Sequence, residues 1–315
     1  MHKDKTVEIV LSGGLGNQLF LFAASLGICD SYDRLIIECC TGKPRLSRNL
    51  EPDLLSFTLP KNIDFKRSSD NVLSTHLHLF LLKLTSKVFK LNCINKSFVQ
   101  LKNVCGRVLA QLGTPNLFLS DGVGFDPRLK QVPGKRRIIG NFHTYRYANS
   151  AKVDSVLQGL TLSVTPEWLV DLQRIASVER PIVVQIRRGD YLGIEELGIL
   201  GPRFFIPLIQ KMGNEFPKSE IWLFTDDYDQ IWDFIPHELH TRVRLIDYDI
   251  YDSAGNLQAM REGRAFIISN STFGWWGAYL SYAVEPVVLC PQNWLKTLPN
   301  PKDLVPLNWI KVPNR

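Results

Sequence analysis

Two adjacent arginines, Arg187 and Arg188, follow directly on Ile182-Val183-Val184-Gln185-Ile186, a run that reads as a strand buried on both faces. Neighbouring guanidiniums at the end of such a strand repel one another and lose hydration, so an anion has to compensate them. The planar fork of arginine matches a diphosphate bidentately, which the point charge of lysine does not. The motif continues as Gly189-Asp190-Tyr191, where Asp190 offers a second outcome: pairing with one arginine and only stabilising the loop.

Three further segments share this grammar of strand followed by polar turn. Ser12-Gly13-Gly14-Leu15-Gly16-Asn17-Gln18 follows the strand-like Val7-Glu8-Ile9-Val10-Leu11, but Leu19 stands where a dinucleotide fingerprint needs its third glycine, and the Gly-Lys-Ser/Thr ending of a P-loop is missing. What remains is a glycine turn centred on Gly14 at a helix N-terminus, suited to an oxyanion, with the amides of Asn17 and Gln18 as hydroxyl readers. A purely structural tight turn is the competing reading. Ser269-Asn270-Ser271-Thr272-Phe273-Gly274-Trp275-Trp276 again runs turn into helix. There Ser271 and Thr272 can cap the helix and share its N–H groups with a phosphate. The paired tryptophans offer a wall for a base or sugar, unless they belong to the core. Thr225-Asp226-Asp227 closes another strand, and Asp247-Tyr248-Asp249 is formally the Asp-X-Asp by which metal-dependent transferases hold Mn²⁺ and a nucleotide diphosphate. With two arginines available to neutralise a diphosphate, that last segment reads as a solvated loop and no metal is needed.

In a parallel α/β sheet ligands bind beyond the carboxyl ends of the strands, which is where the first four loops fall. The apolar runs 7–11, 35–37, 137–142, 182–186, 221–224, 243–246, 265–268 and 287–289 read as strands. Helices are expected over 17–29, 165–178, 204–216, 228–235, 256–263 and 275–282, the second with Thr165 as its cap and Pro166 as its first residue. A chain of 315 residues exceeds what one core usually supports. The expected architecture is therefore α/β, two Rossmann-like domains facing across a cleft, one over 1–160 and the other over 161–315.

A net charge of +6 suits an anionic partner, either a phosphorylated small molecule or an anionic membrane surface. No basic run alternates with aromatics as single-strand nucleic-acid binders require, so nucleic acid is not expected. The cysteines, Cys29, Cys39, Cys40, Cys93, Cys105 and Cys290, show no zinc or disulfide spacing, and the adjacent Cys39 and Cys40 at the end of a strand-like run read as small core residues in a reducing compartment. From the charged residues that open the sequence no signal peptide is expected, and no apolar run is long enough to span a bilayer. Between Val72 and Leu91 an amphipathic helix with Lys83, Lys87 and Lys90 is expected, packed on the N-terminal sheet or resting on anionic lipid. The protein is expected in the cytoplasm, with peripheral contact at the inner membrane face as the lipid-resting alternative.

Taken together, Gly13-Gly14-Leu15-Gly16-Asn17-Gln18-Leu19-Phe20, Gln185-Ile186-Arg187-Arg188-Gly189-Asp190-Tyr191, Phe224-Thr225-Asp226-Asp227 and Ser269 to Ala278 resemble the ordered motif set of the α-1,2-fucosyltransferases, glycosyltransferase family 11. The likeness runs from residue 7 to about residue 295, where Pro291-Gln292-Asn293-Trp294 resembles the family's last element. It implies a GT-B type fold, GDP-β-L-fucose as donor, inverting transfer to the 2-hydroxyl of a terminal β-galactose, and neither metal nor other cofactor. It further implies that Arg187 and Arg188 hold the β-phosphate side of the donor, with Asn270, Ser271 and Thr272 at the nucleotide and Thr225 and Asp226 beside it. Gly14 and Asn17 would serve the donor from the other domain, Asn17 facing the fucose across the cleft, while His143 and Trp275 would meet the acceptor.

One departure stands beside the arginines: the family commonly has histidine where this chain has Gln185, and glutamine cannot act as a base near neutral pH. Asp190 is then the best-placed carboxylate, weakened as a base by its cationic neighbours. The expected reaction is a galactoside α-1,2-fucosyl transfer in O-antigen or surface-glycan synthesis, on an acceptor that a lipid-linked oligosaccharide would supply. The competing readings are a metal-dependent glycosyltransferase using another nucleotide sugar, and a non-catalytic nucleotide- or glycan-binding module.

Overall fold

The computed structural model describes residues 6–11, 13–28, 34–39, 52–67, 117–127, 129, 136–193, 197–247 and 252–314. The chain divides into two compact units, Met1–Leu160 with Pro301–Val305, and Thr161–Asn300 with Pro306–Arg315. Each is built on a parallel sheet, as the GT-B type of α/β fold requires.

In the first unit the strands are β1 (Thr6–Leu11), β2 (Arg34–Cys39), β3 (Ile63–Arg67), β4 (Leu117–Val123) and β5 (Arg136–Asn141), in the order β3-β2-β1-β5-β4. Helix α1 (Leu15–Leu26) follows β1 and is apolar nearly all round, so almost every residue in it is buried. Its Leu19, Phe20, Phe22 and Ala24 lie in the same core as Ile9, Leu35, Ile37 and Ile138 of the sheet, all essentially inaccessible to water. After β5 come the short α2 (Tyr145–Ala148) and α3 (Ala151–Gln158), capped by the side chains of Thr144 and Ser150. The hydroxyl of Tyr147 accepts from the amide of Asp126 and donates to its carbonyl, both at 3.0 Å. The inserted segment 301–305 is tied here as well: Asp303 gives its carbonyl to the Thr144 hydroxyl at 2.8 Å and to the Tyr145 amide at 3.0 Å, and its carboxylate to Arg146.

The second unit carries α4 (Glu167–Val178), β6 (Ile182–Ile186), α5 (Pro202–Glu215), β7 (Ile221–Thr225), β8 (Val243–Leu245), α6 (Ser253–Met260), β9 (Ala265–Ile268), α7 (Thr272–Tyr279), β10 (Val287–Pro291) and β11 (Ile310–Val312). Its strand order is β11-β10-β9-β6-β7-β8. β6 is buried along its whole length, and Val184, Ile186, Leu223 and Ile267 pack with Phe205 and Ile209 of α5 and Phe234. Cys290 is likewise a core residue, its thiol pushed up to about 12 by burial.

Some local expectations need correcting. Pro166 takes extended backbone, ψ 148°, and occupies the cap position of α4, so Thr165 lies outside the helix. The stretch 228–235 forms only a 3₁₀ turn over Ile231–Phe234, because Pro236 forces Ile235 out of helical backbone and too few residues remain. α7 starts at Thr272 and ends at Tyr279, three residues earlier at both ends than its apolar spacing implies. The expected amphipathic helix between Val72 and Leu91, Tyr248 and Asp249 of the Asp-X-Asp segment, and Cys29, Cys40, Cys93 and Cys105 lie outside the described residues. Among the described residues no helix is long and apolar enough to cross a membrane.

The C-terminal end of α5 depends on a side chain from elsewhere. Arg242 donates to the carbonyls of Gly213 at 2.9 Å and of Phe216 and Ser219 at 2.7 Å each, collecting the groups a helix end leaves open. Arg242→Ala should lower the stability of this unit by about 2–4 kcal/mol, since buried carbonyls lose a charged donor. Every tryptophan of the chain lies between residues 161 and 315, so fluorescence during urea unfolding reads this unit alone. A midpoint unchanged from the wild type would contradict the assignment.

Candidate functional site

Both sheets reverse their strand order once, between β1 and β5 in the first and between β6 and β9 in the second. At such a point the loops leaving adjacent strands turn to opposite faces, and a crevice opens beyond the strand ends. The loops concerned are Gly13 to Gln18 and Phe142 to Thr144 in one unit and Arg187 to Tyr191 and Ser269 to Thr272 in the other; of the four loops the sequence singles out, Thr225 to Asp227 lies one strand away, and Phe142 to Thr144, with His143, takes a place at the reversal instead.

In the second unit the arginines find their counter-charge within the chain. Arg187 Nε pairs with Asp226 Oδ2 at 3.1 Å, and Arg188 Nε with Asp227 Oδ2 at 2.8 Å. The anion that two adjacent guanidiniums demand is thus first of all a pair of carboxylates from the end of β7. Thr225 shapes that end, its hydroxyl accepting from the Asp227 amide at 3.1 Å and donating to the Asp227 carbonyl at 3.2 Å. The two arginines are not equivalent. Arg188 also donates to Gln230 at 3.3 Å, lies over the Phe234 ring at 4.9 Å, and keeps only 16% of its side chain exposed. Arg187 lies on the Tyr191 side and keeps 29%. Asp190 belongs to the 3₁₀ turn Gly189–Gly193, and its side chain lies outside the described residues.

The loop after β9 supplies the other wall. Ser271 takes the cap position of α7 but gives no side-chain hydrogen bond to it, so the capping expected of Ser271 and Thr272 is not made and the first amides of the helix keep their donor character. Asn270 donates from Nδ2 to the carbonyls of Leu197 at 2.8 Å and Trp294 at 2.9 Å, bracing two loops. Its Oδ1 is buried without a partner among the described residues. Gln185 is buried too, its Oε1 unpartnered and packed beneath Gly274, where a Cβ would come within 2.5 Å of it. Trp275 is not a wall: it is fully buried, stacked on Tyr279 with centroids 4.7 Å apart and touching Trp276 and Trp309. The apolar surroundings of α7 claim the ring for the core.

In the first unit Gly13 has φ +75°, a conformation glycine alone takes readily, and the Asn17 side chain folds over the space a Cβ would need. Gly14 caps α1 without a side-chain bond, leaving backbone donors at the helix start. Gln18 does not read hydroxyls; its amide donates to the Gly13 carbonyl at 2.9 Å and accepts from the Leu54 amide at 3.0 Å, fixing the turn. His143 packs against Phe20 with ring centroids 5.1 Å apart, and although part of the residue reaches the surface, its Nε2 is enclosed and unpartnered among the described residues.

Two residues beside the arginines escape a reading of the sequence. Ser269 receives the Arg187 amide on its hydroxyl at 2.9 Å, and Gly189 leaves the space that the Asp226 carboxylate fills. A serine opening a polar turn carries no mark of which backbone it will bond. Glycine after two arginines reads as loop.

The sequence pattern of the family described as Glycosyl transferase family 11 matches residues 141–312. The chain is similar to the alpha-1,2-colitosyltransferase of Escherichia coli, 25% identical over 323 residues that cover 96% of this chain and 97% of that protein. It is also similar to the O-antigen biosynthesis glycosyltransferase WbnK of Escherichia coli, 22% identical over 334 residues covering 96% and 99%. Among solved structures, the glycosyl transferase family 9 from Veillonella parvula aligns with 99% of this chain and 88% of its own, at 11% identity and a TM-score of 0.50, a likeness of fold.

Burial holds the His143 imidazole down to about 4, so the ring is neutral from mildly acidic pH upward. A folded pKa below the unfolded value means the unfolded chain binds the extra proton between about 4 and 6.5, and stability contributed by neutral His143 falls as pH drops through that window. The expected NMR titration of its ring carbons shows a midpoint near 4; a midpoint near the ordinary 6.5 would refute the enclosure of Nε2.

Proposed function

The chain belongs to glycosyl transferase family 11, and on that premise we propose that it transfers L-fucose from GDP-β-L-fucose to the 2-hydroxyl of a terminal β-galactose, with inversion and without a metal ion. The observation that carries this reading is that the loop bearing Arg187 and Arg188 and the uncapped start of α7 leave adjacent strands, β6 and β9, at the order reversal of one parallel sheet. Arginine forks and free helix amides are the two commonest protein devices for a diphosphate. The second unit takes the donor and the first presents the acceptor. The likeness to an O-antigen biosynthesis enzyme supports an acceptor of surface-glycan type.

Chemically, the acceptor oxygen attacks the anomeric carbon while the bond to the β-phosphate oxygen breaks, and the electron pair leaves with GDP. Negative charge grows on that phosphate in the transition state, and Arg187 contributes to rate by binding it more tightly there than in the ground state. The hydroxyl proton goes to a base that Gln185 cannot be.

A second donor is favoured by a specific observation, the similarity to a protein named alpha-1,2-colitosyltransferase. Colitose is fucose without its 3-hydroxyl, so both sugars present the same diphosphate to Arg187.

The test is a panel of β-galactosides with GDP-fucose and GDP-colitose, in EDTA, with product linkage read by NMR. We expect an α-1,2-linked fucosyl product, and Arg187→Ala to lower kcat by roughly 10²-fold or more. Product from GDP-colitose alone would replace the donor. Loss of all turnover in EDTA would mark a metal-dependent enzyme, and GDP binding without turnover on any acceptor would mark a binding module.

A further inference from the structure

We propose that Asp226, Ser269 and Gly189 form a frame that fixes Arg187, acting as positioning residues for the transfer rather than as contacts to the nucleotide. The inference rests on the donor reading above, in which Arg187 meets the departing diphosphate.

The frame has two sides. From β9, the Ser269 hydroxyl accepts the Arg187 amide at 2.9 Å and donates to the Gln185 carbonyl at 3.0 Å, which also takes the Ser269 amide at 3.0 Å. Ser269 is 1% exposed, so no solvent competes for these bonds. From β7, Asp226 holds both the main chain and the side chain of the arginine loop: Oδ1 accepts the Arg188 amide at 2.8 Å and Oδ2 pairs with Arg187 Nε at 3.1 Å. With both oxygens engaged and a negative charge of its own, this carboxylate is ill suited to contact a diphosphate. Gly189 makes the arrangement possible. A Cβ there would lie 2.9 Å from Asp226 Oδ2 and 3.2 Å from its Cγ, while the residue is not among those with positive φ. Space, not backbone conformation, calls for glycine.

Two substitutions disturb the frame by different means. Asp226→Asn is isosteric and keeps an oxygen for the Arg188 amide, but sets an NH₂ donor against Arg187 Nε. Gly189→Ala removes no polar group and pushes the carboxylate aside with a methyl. Each should lower kcat by about 10-fold to 100-fold, the scale of a misplaced catalytic group. The acceptor KM should stay within about twofold, because binding of that substrate is not altered. The double variant should be no worse than the more severe single one, since both changes act on one interaction.

A measurement without ligand stands beside these. In backbone amide exchange by NMR, Arg188 should stay protected in Asp226→Asn and lose protection in Gly189→Ala, and Arg187 should lose it in Ser269→Ala. Wild-type kcat in Asp226→Asn and Gly189→Ala, additive losses in the double variant, or a protected Arg188 amide in Gly189→Ala would each overturn the frame. If Gly189→Ala does not fold, Asp226→Asn and Ser269→Ala decide it by the same measurements. If the wild type transfers sugar from neither donor, the donor reading fails and the exchange pattern alone decides whether the frame exists.

Discussion

Two guanidiniums set side by side at the end of a buried strand are the constraint on which the second unit is organised. Charge largely removed from water must be matched close by or the fold is destabilised. The match comes from Asp226 and Asp227 at the end of the next strand, in register with β6 through the pair Ile186 and Thr225. The formal charges of these four side chains cancel, so what distinguishes the two arginines is which edge of each guanidinium its carboxylate occupies, a matter of angles and therefore of loop geometry.

That geometry follows from sheet order. β6 and β9 run side by side as far as Gln185 and Ile268 and then part, one into the arginine loop and the other into the serine-rich turn before α7. Backbone hydrogen bonding cannot continue across diverging strands. The Ser269 hydroxyl takes over for one further rung, so the last fixed point of the sheet is also the first atom of the Arg187 loop. The first unit repeats the plan at β1 and β5 with a glycine turn braced by Gln18 and with His143 opposite.

Much of this was legible in the residues. Apolar runs such as 182–186 and 265–268 announce buried parallel strands because a strand covered on both faces has no polar alternation to keep, and polar residues at their ends announce loops. The roles within loops were less legible. Gln18 read as a hydroxyl contact from its type, and Thr225 and Asn270 as donor contacts through the family resemblance, yet each engages backbone, since amides and hydroxyls serve a turn as readily as a sugar. Trp275 offered a ring for sugar packing, and burial decided otherwise. The stretch before Pro236 had helical spacing but lacked the length to propagate. β11, three residues paired with β10 at the sheet edge, is too short for periodicity to show.

The path of residues 301–305 has a consequence for how such enzymes diversify. This pentapeptide, deep in the C-terminal half of the sequence, belongs to the first unit and gives Asp303 to Thr144, Tyr145 and Arg146. Recombination at a single junction near residue 160 would therefore separate Asp303 from the residues it completes. A lineage exchanging one unit for a relative's must either carry the distant pentapeptide along or evolve its replacement. The two units of this chain therefore cannot be parted by one cut without breaking bonds inside the first.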